Sequence, residues 1–584
     1  MRKLKRLIAL GTAGLLLAST ALTGCGGSFS GESASTAGTA SAETTAAEGT
    51  DSSGTSEGGS GGWSSDTLTV GLTTSSMVTD YENNYFTNYL EEQLGFNLEF
   101  QMLPTDSADT RTRVALMATG GDGADLPDVI VVDGHLTTEM IYQYGSQGFF
   151  LALDEYLADP EVMPNYNAIP EEDKAIMTEA QTMADGHQYS LSAYEPESWN
   201  LTPYRLFINR EWLDTLGLEV PTTTDELKDV LIAFRDGDPN GNGVQDEVGV
   251  YGFTTGWGTN VTAALMNAFV FWNGNDANGG LSLAEDGTTV IAPYTTEEWR
   301  EGLRYMNDLY NEGVLSANIF TDDETQFKAV LNQETNTVGL VTAGSLSNWT
   351  DARNNANYLQ MEFIEPLTGP EGIQYTPYTV YSPTQELMIL SSTDKLDMAL
   401  AFADQFYDHD TSIIERFGEE GVDWTRDPEV LAEHTNAYVD AGLYDSLSLV
   451  VLSTVWSDNQ SQTWRNHGPR YASAEEGNTV FDFSSGIPYD RDDPTQLNAR
   501  NYEMYYDKHP DVVLPTLKYT LEETEANQDA ITNIPDFVKQ SLAEFVTGAR
   551  DIENGWDTYL TELENMGLSQ WIEAAQAAYD RTLE

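Results

Sequence analysis

Cysteine, basic residues and long apolar segments are all scarce in this chain of 584 residues. A single cysteine cannot form an internal disulfide bond. Lys and Arg number 27 against 94 Asp and Glu, giving a formal net charge of −67, whereas nucleic acid binding needs clustered cations. Beyond residue 25 no stretch approaches the ~20 apolar residues of a membrane span. These shortages argue against a disulfide-stabilised domain, a nucleic-acid binder and a multi-span membrane protein.

The first 25 residues predict where the protein works. A basic start and the apolar run Leu7–Leu17 precede the small-residue segment Leu22-Thr23-Gly24-Cys25. This order is typical of a secretory signal peptide and is too short for a membrane span. Cys25 stands where the lipobox of bacterial lipoprotein signals places its cysteine, and the resemblance implies a diacylglycerol anchor with acyl chains such as palmitate. The alternative is a plain secretory signal with an incidental cysteine.

Composition divides the sequence into three parts. Residues 1–24 are expected to be a lipoprotein signal peptide, and residues 25–66 to be a disordered linker of Ser, Thr, Gly, Ala and Glu, because such a composition buries too little apolar surface to fold. Residues 67–584 are too long for one small core. We expect a lipid-anchored protein on the extracytoplasmic face of the cell membrane, the outer surface of a Gram-positive bacterium, with a periplasmic face left open.

Strand and helix patterns alternate at the start of the folded part. Leu68–Leu72 and Asn97–Met102 have the pattern of strands, and between them a helix is predicted over residues 81–94, ended by Gly95. The β-branched run Val129–Val132 suits a strand that is covered on both faces, as in a parallel sheet. This succession predicts an α/β fold.

A second α/β region begins at Tyr204–Asn209. Thr223 and Glu226 have the spacing of a capping box, which predicts the start of a helix there. Further helices are predicted over residues 296–312, 323–333, 394–407, 427–441, 535–547 and 555–581.

Six segments spread along the folded part share an order and spacing. They are LTVGL (68–72), ADLPDVIVV (124–132), GFFLALDEYL (148–157), LFINREWLDTLGLEVPTTTDEL (206–227), YMNDLYNEGVLSANIFTDDETQFKAVL (305–331) and EFVTGARDIENGWDTYLTELENMGL (544–568). Together they resemble the extracellular solute-binding proteins (family 1) of carbohydrate ABC transporters, especially the large type that includes the alginate-oligosaccharide binders.

The resemblance implies a two-lobed, periplasmic-binding-protein-like α/β fold, with crossing segments as a hinge and the ligand in the cleft between the lobes. The first lobe would hold roughly residues 67–190 and part of 340–420, and the second roughly 195–335 and most of 425–584. It also implies the substrate-binding component of an importer, which captures a carbohydrate, expected to be an oligosaccharide, by lobe closure. Its partners would be permease subunits, with ATP hydrolysed by a separate subunit, and we expect a monomer.

The loop Asp236–Glu247, DGDPNGNGVQDE, predicts a calcium site because oxygen side chains on alternate residues of a glycine-containing turn converge on one point. One frame starts at Asp236, as in an EF-hand. The other resembles the calcium loop of the alginate-binding relatives and is preferred. Its ligands would be Asp238, Asn240, Asn242, the Val244 carbonyl, Asp246 and Glu247. The ion would be structural, and the alternative is an acidic turn without an ion.

Sugar sites combine aromatic platforms with polar side chains, so loop tryptophans are the ligand candidates. They are Trp199, Trp257, Trp272, Trp349, Trp456 and Trp464. Burial in the core is the alternative for each. Asp133 follows a predicted strand at the expected cleft edge, where a helix cap is the other interpretation, and Arg205 could meet an acidic sugar or pair with a carboxylate. The tryptophans on predicted helices are expected to pack: Trp212, Trp299, Trp556 and Trp571.

No catalytic motif is visible. The six histidines form no HExxH, and residues 67–584 contain neither a GxSxG elbow nor a phosphate-binding glycine loop. We therefore expect a binding protein and not an enzyme. The alternatives are a tethered polysaccharide-degrading enzyme, which would use a pair of carboxylates, and a binder of a peptide or another non-sugar solute.

Overall fold

The computed structural model describes residues 66–120, 126–196, 198–254, 256–274, 278–345, 349–350, 355, 357–378, 380–433, 447–453, 455, 459–473, 476, 479–481 and 504–583. Cys25, the predicted signal peptide, nearly all of the predicted linker and Trp456 lie outside these residues. For Trp199 only the backbone is described, in the short 3-10 helix Ser198–Leu201.

Strands and helices alternate along the described residues. The strands are β1 Thr67–Thr73, β2 Asn97–Leu103, β3 Val129–Val131, β4 Leu191–Tyr194, β5 Arg205–Asn209, β6 Val248–Tyr251, β7 Ser282–Leu283, β8 Val290–Ile291, β9 Val338–Ala343, β10 Met361–Ile364, β11 Thr384–Ile389, β12 Trp424–Thr425, β13 Leu449–Val451, β14 Arg470–Tyr471 and β15 Thr479–Phe481. The α-helices are α1 Tyr85–Leu94, α2 Ser107–Ala118, α3 Thr138–Ser146, α4 Asp154–Leu157, α5 Pro164–Ala168, α6 Glu171–Gln181, α7 Arg210–Leu216, α8 Thr224–Gly237, α9 Val261–Met266, α10 Glu297–Asn311, α11 Glu324–Leu331, α12 Leu396–Gln405, α13 His409–Phe417, α14 Leu521–Thr547, α15 Ile552–Asn565 and α16 Leu568–Thr582. None of the described helices is both long and apolar enough to cross a membrane.

The first lobe is built on a six-stranded sheet in the order β14-β4-β11-β3-β1-β2. β1 pairs in parallel with β2 and β3, and β11 runs antiparallel between β3 and β4. Val129 and Val131 pack into the core on one face of the sheet, and Ile130 and Val132 into the core on the other. The predicted strand with two buried faces is therefore confirmed, since side chains alternate between the faces of a strand.

The second lobe is built on a four-stranded sheet in the order β10-β5-β9-β6. Its core packs the sheet against α8, α10 and the three C-terminal helices. The predicted capping box at the start of α8 is confirmed, because the Thr223 hydroxyl accepts from the Glu226 N–H and the Glu226 carboxylate accepts from the Thr223 N–H. This cap satisfies backbone donors that the first turn leaves without partners.

Residues 425–584 divide between the lobes. Most of them were expected in the second lobe; within this range, β13 and Trp464 pack into the first-lobe core, and β14 is an edge strand of the first-lobe sheet. The described residues 504–583 alone join the second-lobe core from this range. This segment joins the first lobe because β14 pairs with β4 in the first-lobe sheet and the Trp464 ring is buried in the first-lobe core.

Two passages that the structure describes almost completely connect the lobes: one follows β4 and reaches β5, and the other lies between β10 and β11. From residue 504 onward the described chain belongs to the second-lobe core. The fold is thus α/β with two lobes interleaved in sequence, as expected.

Candidate ligand-binding site

A cavity of about 490 Å³ lies between the two lobes, which belong to one compact unit of residues 60–584. Its walls come from the edge of the first-lobe sheet, loops of the second lobe and the connecting passages. The lining residues are Ala193, Glu195, Asn200, Leu201, Pro203, Tyr204, Gly256, Trp257, Gly258, Asn273, Pro377, Val380, Tyr381, Ser382, Thr384, Arg470 and Thr516. We call this cavity the cleft. Interfaces between lobes are common ligand sites in α/β proteins.

The second-lobe wall of the cleft is the turn Gly256-Trp257-Gly258. Gly258 has a φ of 69°, and a Cβ there would lie 2.2 Å from the Pro203 carbonyl oxygen, so the turn requires glycine. The Gly344 N–H donates to the Trp257 carbonyl at 3.1 Å, and a Cβ on Gly344 would lie 2.1 Å from the indole Cε3. The indole, 39% exposed, therefore rests on bare backbone and lines the cleft with its free surface.

Arg205 lies beneath Trp257 and does not reach the cleft. Its side chain is fully buried, and the guanidinium carbon is 5.9 Å from the centroid of the Trp257 ring. Its Nη1 donates to the Gly344 carbonyl. Burial lowers the pKa of the Arg205 guanidinium to about 10, which leaves it charged at neutral pH. Arg205 is therefore not among the described lining residues of the cleft, and its contact with a ligand stays a prediction; in the structure its side chain supports the tryptophan.

The first-lobe floor of the cleft is an ion-paired cluster. Glu195 Oε2 is 3.1 Å from Arg470 Nη2, and Glu195 Oε1 is 2.9 Å from Arg416 Nε. Burial by itself would raise the pKa of Glu195, but the two guanidiniums hold it below its ordinary value. The Glu195 N–H donates to the Tyr381 hydroxyl at 2.7 Å, so the same residue fixes an aromatic ring of the cleft.

Two further carboxyl groups lie behind this floor. Glu415 is fully buried, and its nearer oxygen is 3.6 Å from Arg470 Nη1; neither oxygen accepts a hydrogen bond from a described residue. Burial raises the pKa of Glu415 to about 7, against the lowering effect of Arg470. Burial, with the nearby Asp133 charge, also raises the pKa of Glu386 well above its ordinary value. The floor is therefore a dense set of partly neutralised acids around two arginines.

Asp133 lies at the carboxyl end of β3, as predicted, with a left-handed φ of 46°. Its Oδ2 is 3.0 Å from Nε2 of the buried His467. Burial alone would lower the pKa of His467, but Asp133 raises it above the ordinary value. The helix that follows is capped by Thr137 and not by Asp133. Asp133 does not line the cleft, so its contact with a ligand stays a prediction.

Of the candidate tryptophans whose side chains are described, Trp257 lines the cleft. Trp272 and Trp349 are buried in the second-lobe core, and Trp464 in the first. Trp272 also lines a smaller cavity of about 110 Å³, which shares Tyr204 and Gly256 with the cleft. The four tryptophans on predicted helices are buried, as expected: Trp212, Trp299, Trp556 and Trp571.

Several cleft residues were not predicted from the sequence. Tyr204 and Tyr381 lie at the ends of connecting passages, and Asn273 follows a buried tryptophan. Asn273 is buried, and its Oδ1 has no hydrogen-bond partner among the described residues. The one sequence signal for Tyr204 was its position at the start of the second predicted α/β region, which is too common to select it, and Tyr381 had no such signal.

The calcium-like loop connects α8 to β6. The Gly243 N–H donates to Asp238 Oδ2 at 3.1 Å, and Asn242 Nδ2 donates to Asp246 Oδ1 at 3.1 Å. Glu247 is buried, and neither of its carboxylate oxygens has a partner among the described residues. Burial, followed by Asp246 and Asp238, raises the pKa of Glu247. A buried acid left without a partner beside two others fits a cation.

The two frames of this loop differ in what their first residue does. Asp236, which begins the EF-hand frame, accepts from Arg235 Nε at 2.7 Å and from Nη2 at 2.9 Å. Asp238 begins the preferred frame and has no such cation. The described residues contain no tight group of three His, Cys, Asp or Glu side chains, so any ion held here depends also on amide and carbonyl oxygens, which calcium accepts.

No protein-family model matches the chain. It is 25% identical over 504 residues to the fructooligosaccharide ABC transporter substrate-binding protein FusA of Streptococcus pneumoniae, a match that covers 84% of this chain and 86% of FusA. The chain is a homologue of ABC-transporter substrate-binding proteins. It is also 24% identical over 337 residues to the lipoprotein LipO of Bacillus subtilis, across 57% of this chain and 62% of LipO.

Solved structures of such homologues have the same fold. FusA in complex with kestose matches with a TM-score of 0.72 and 23% identity, over 89% of this chain and 99% of FusA. An EF-hand mutant of FusA in complex with fructo-nystose matches with a TM-score of 0.72, 22% identity and the same coverage. The alginate-binding protein AlgQ2 without calcium ion has a TM-score of 0.66 and 19% identity, over 89% of this chain and 99% of AlgQ2. The expected two-lobed fold is confirmed.

Proposed function

We propose that this protein is the substrate-binding component of an ABC importer, which captures an extracellular oligosaccharide between its lobes and delivers it to permease subunits. The observation that carries the proposal is a cleft lined by both lobes in a homologue of FusA. A ligand that contacts both walls stabilises the closed arrangement of the lobes. A permease then distinguishes loaded from empty protein by shape.

The chemistry of the cleft supports a sugar as ligand. The free surface of Trp257 suits the C–H face of a pyranose or furanose ring, and Tyr204 and Tyr381 add aromatic surface. Asn200 and Asn273 bring amide groups to the same cavity. Flat apolar faces beside hydrogen-bonding groups match the alternating C–H and hydroxyl surfaces of an oligosaccharide. FusA is named for fructooligosaccharides and AlgQ2 for alginate, so these two proteins do not indicate which kind of sugar this chain binds.

The described lining supports a binder over a glycosidase. Glycoside hydrolysis uses two carboxyl groups on either side of the scissile bond. Glu195 is the one carboxylate among the described lining residues, and Arg416 and Arg470 hold it. The homologues are likewise binding proteins of transporters.

Titration calorimetry of the purified full chain in mild detergent against a panel of oligosaccharides tests the proposal. We expect saturable binding of at least one sugar, which is recovered uncleaved, and a more compact scattering profile on binding. Trp257→Ala should weaken that binding on the order of tenfold or more, since it removes a central aromatic contact. Tyr506→Ala, an exposed aromatic outside the cleft, is the matched control. Release of new reducing ends would favour the enzyme, and binding of peptides alone would replace the sugar.

We also propose that the loop of residues 238–247 holds a structural Ca²⁺. The support is the partnerless buried carboxylate of Glu247 beside Asp238 and Asp246, in a chain whose homologue FusA has been studied as an EF-hand mutant. The side chains of Asp238, Asn240, Asn242, Asp246 and Glu247, with the Val244 carbonyl, would supply the oxygens. The ion would fix the connection between α8 and β6 without taking part in ligand contact.

Melting of the full chain with chelator and with added calcium tests this site. Calcium should raise the melting temperature, because an ion that binds only the folded state stabilises it. Glu247→Gln should abolish the rise, whereas Asp236→Asn should leave it intact because Asp236 pairs with Arg235. A melting temperature indifferent to calcium would refute the site, and loss of the rise in both variants would favour the EF-hand frame.

The membrane anchor remains a proposal based on Cys25. LipO, a homologue over part of the chain, is a lipoprotein by name. Metabolic labelling of cells with a palmitate analogue should mark the protein, and Cys25→Ser should abolish the label and release the protein into the medium or periplasm. Retention of the variant at the membrane would contradict the anchor.

A further inference from the structure

We propose that the cleft selects uncharged oligosaccharides and rejects those that carry carboxylate or sulfate groups. This inference rests on the proposed function and narrows its substrate class. Among the described lining residues, Glu195 and Arg470 are the only charged side chains, and they pair with each other at 3.1 Å. The described walls therefore offer an anion no uncommitted cation.

The guanidinium of Arg470 is committed on every side. Its Nε and Nη2 donate to Glu195 Oε2 at 3.2 Å and 3.1 Å. Its Nη1 donates to the Asn466 carbonyl at 3.3 Å and the Gly468 carbonyl at 3.5 Å, and faces Glu415 at 3.6 Å. A ligand carboxylate would have to displace one of these partners and leave a buried acid behind it, which is unfavourable.

Neither Arg205 nor Arg465 lines the cleft. Arg205 is fully buried behind Trp257 and already bonds the Gly344 carbonyl. Arg465 donates to Ser75 Oγ at 3.1 Å, and its Nη2 lies 3.9 Å from Glu324 Oε2. The described contacts of both guanidiniums thus lie within the protein.

Asn273 favours a hydroxyl over a carboxylate. Its buried Oδ1 lines the cleft without a partner among the described residues. A partnerless acceptor gains a hydrogen bond from a ligand that can donate one, and a sugar hydroxyl can donate whereas a carboxylate only accepts. A ligand hydroxyl placed at this oxygen therefore offsets its removal from water, whereas a ligand carboxylate in the same position would not.

The charge of the whole chain acts in the same direction. A formal net charge of −67 repels an approaching polyanion and lowers its association rate, most strongly at low ionic strength. One exposed lysine opposes this trend, because Lys539 lines the smaller cavity that adjoins the cleft at Tyr204 and Gly256. Lys539 is the residue that an acidic sugar would have to use, and it supplies a control variant.

A charge-matched ligand pair tests the inference on the full chain in detergent. Calorimetry would compare the neutral sugars of the panel with uronic-acid oligosaccharides of equal length, and the latter with their methyl esters, which remove the charge and keep the backbone. We expect the acidic forms to bind on the order of a hundredfold more weakly than the best neutral ligand. Equal or tighter binding of an acidic form would overturn the inference and leave the binder intact. Binding of no sugar would overturn the proposed function and the inference together.

Two variants and a salt series sharpen the outcome. Lys539→Gln should leave the binding of neutral oligosaccharides unchanged. If the protein binds acidic oligosaccharides and Lys539→Gln abolishes that binding, the inference is refuted.

Glu195→Gln frees Arg470 and should reduce the discrimination against acidic oligosaccharides on the order of tenfold. If that variant does not fold, the salt series decides: between about 0.02 M and about 0.5 M NaCl, neutral binding should stay constant while acidic binding tightens as repulsion is screened. Acidic binding that weakens with salt would show attraction and overturn the inference.

Discussion

The two walls of the cleft are built by different kinds of interaction. On the first-lobe floor, Glu195 lies between Arg416 and Arg470, and its position depends on opposite charges out of water. On the second-lobe wall, Trp257 lies flat on the backbone at Gly344, and its position depends on the absence of side-chain atoms. Removal of one charged group should therefore destabilise the floor. Addition of a side-chain atom beneath Trp257 should displace the ring from the wall.

Arg470→Met should have the largest effect, on the floor. It leaves Glu195 with Arg416 alone and removes the cation nearest to Glu415. Loss of one partner of a buried ion pair lowers the free energy of unfolding by ~3–5 kcal/mol, measurable by chemical denaturation. Arg304→Met is the control, because its partners are exposed, and it should cost less than ~1 kcal/mol. If both variants lost the same free energy of unfolding, burial would not strengthen the ion pairs of the floor.

The pH dependence of stability tests the floor through the ionisation of Glu415, without removal of an ion-pair partner. Glu415 has its pKa raised from 4.5 to about 7 by burial, so the folded state holds its proton more tightly than the unfolded state. The resulting stabilisation is present below pH 4.5 and is lost as the pH rises to about 7, at a slope on the order of 1 kcal/mol per pH unit.

Glu415→Gln should flatten that slope, as followed by denaturant midpoints across this pH range. Glu92→Gln, at an exposed position, is the control and should keep the wild-type slope. A Glu415→Gln curve that is parallel to wild type would contradict the raised pKa.

Gly344→Ala tests the wall by addition of a single methyl group. The new Cβ would meet the Trp257 ring at 2.1 Å, so the indole must shift. Sugar binding should weaken about tenfold, an effect near 1.4 kcal/mol, while the protein stays folded. Gly372→Ala, at a φ of 83° with no atom within 4 Å, should instead lower stability by ~1 kcal/mol and leave affinity unchanged. Calorimetry and denaturation together separate the two responses.

Trp257→Phe should give the smallest change. The phenyl ring keeps an aromatic face on the same backbone platform and loses only part of the contact area, so affinity should fall about threefold. A loss as large as that of Trp257→Ala would show that the indole acts through more than its face.

The elements predicted well from sequence are those fixed by near neighbours in the chain. Gly95 ends α1 in a left-handed conformation, and Thr223 with Glu226 caps α8. The prediction was less complete at α14, expected to start at Pro535 but extending back to Leu521. A proline removes one backbone hydrogen bond, yet burial of neighbours such as Ile534 and Val538 against the core maintains the helix. Such packing is not visible in local sequence.

The site was harder to predict because exposure is decided by distant partners. All six loop tryptophans have polar or small neighbours in sequence. Trp464, however, packs in the first-lobe core against Phe86 and Phe402, and Trp349 packs on Phe207. The glycines on both sides of Trp257 were the distinguishing signal, since they allow a turn that presents the ring. Nothing in the local sequence showed that Trp257 would cover Arg205.

The strand β11, residues 384–389, lies at the centre of the first-lobe sheet, between β3 and β4. The strands β1 to β4 are synthesised before β11, so the centre of the first-lobe sheet cannot form until well over half of the chain has been made. Such delay would suit the proposed export, in which the chain passes through a translocation pore before it folds. A circular permutant that begins near β11 should mature faster in the cytosol and be exported less efficiently.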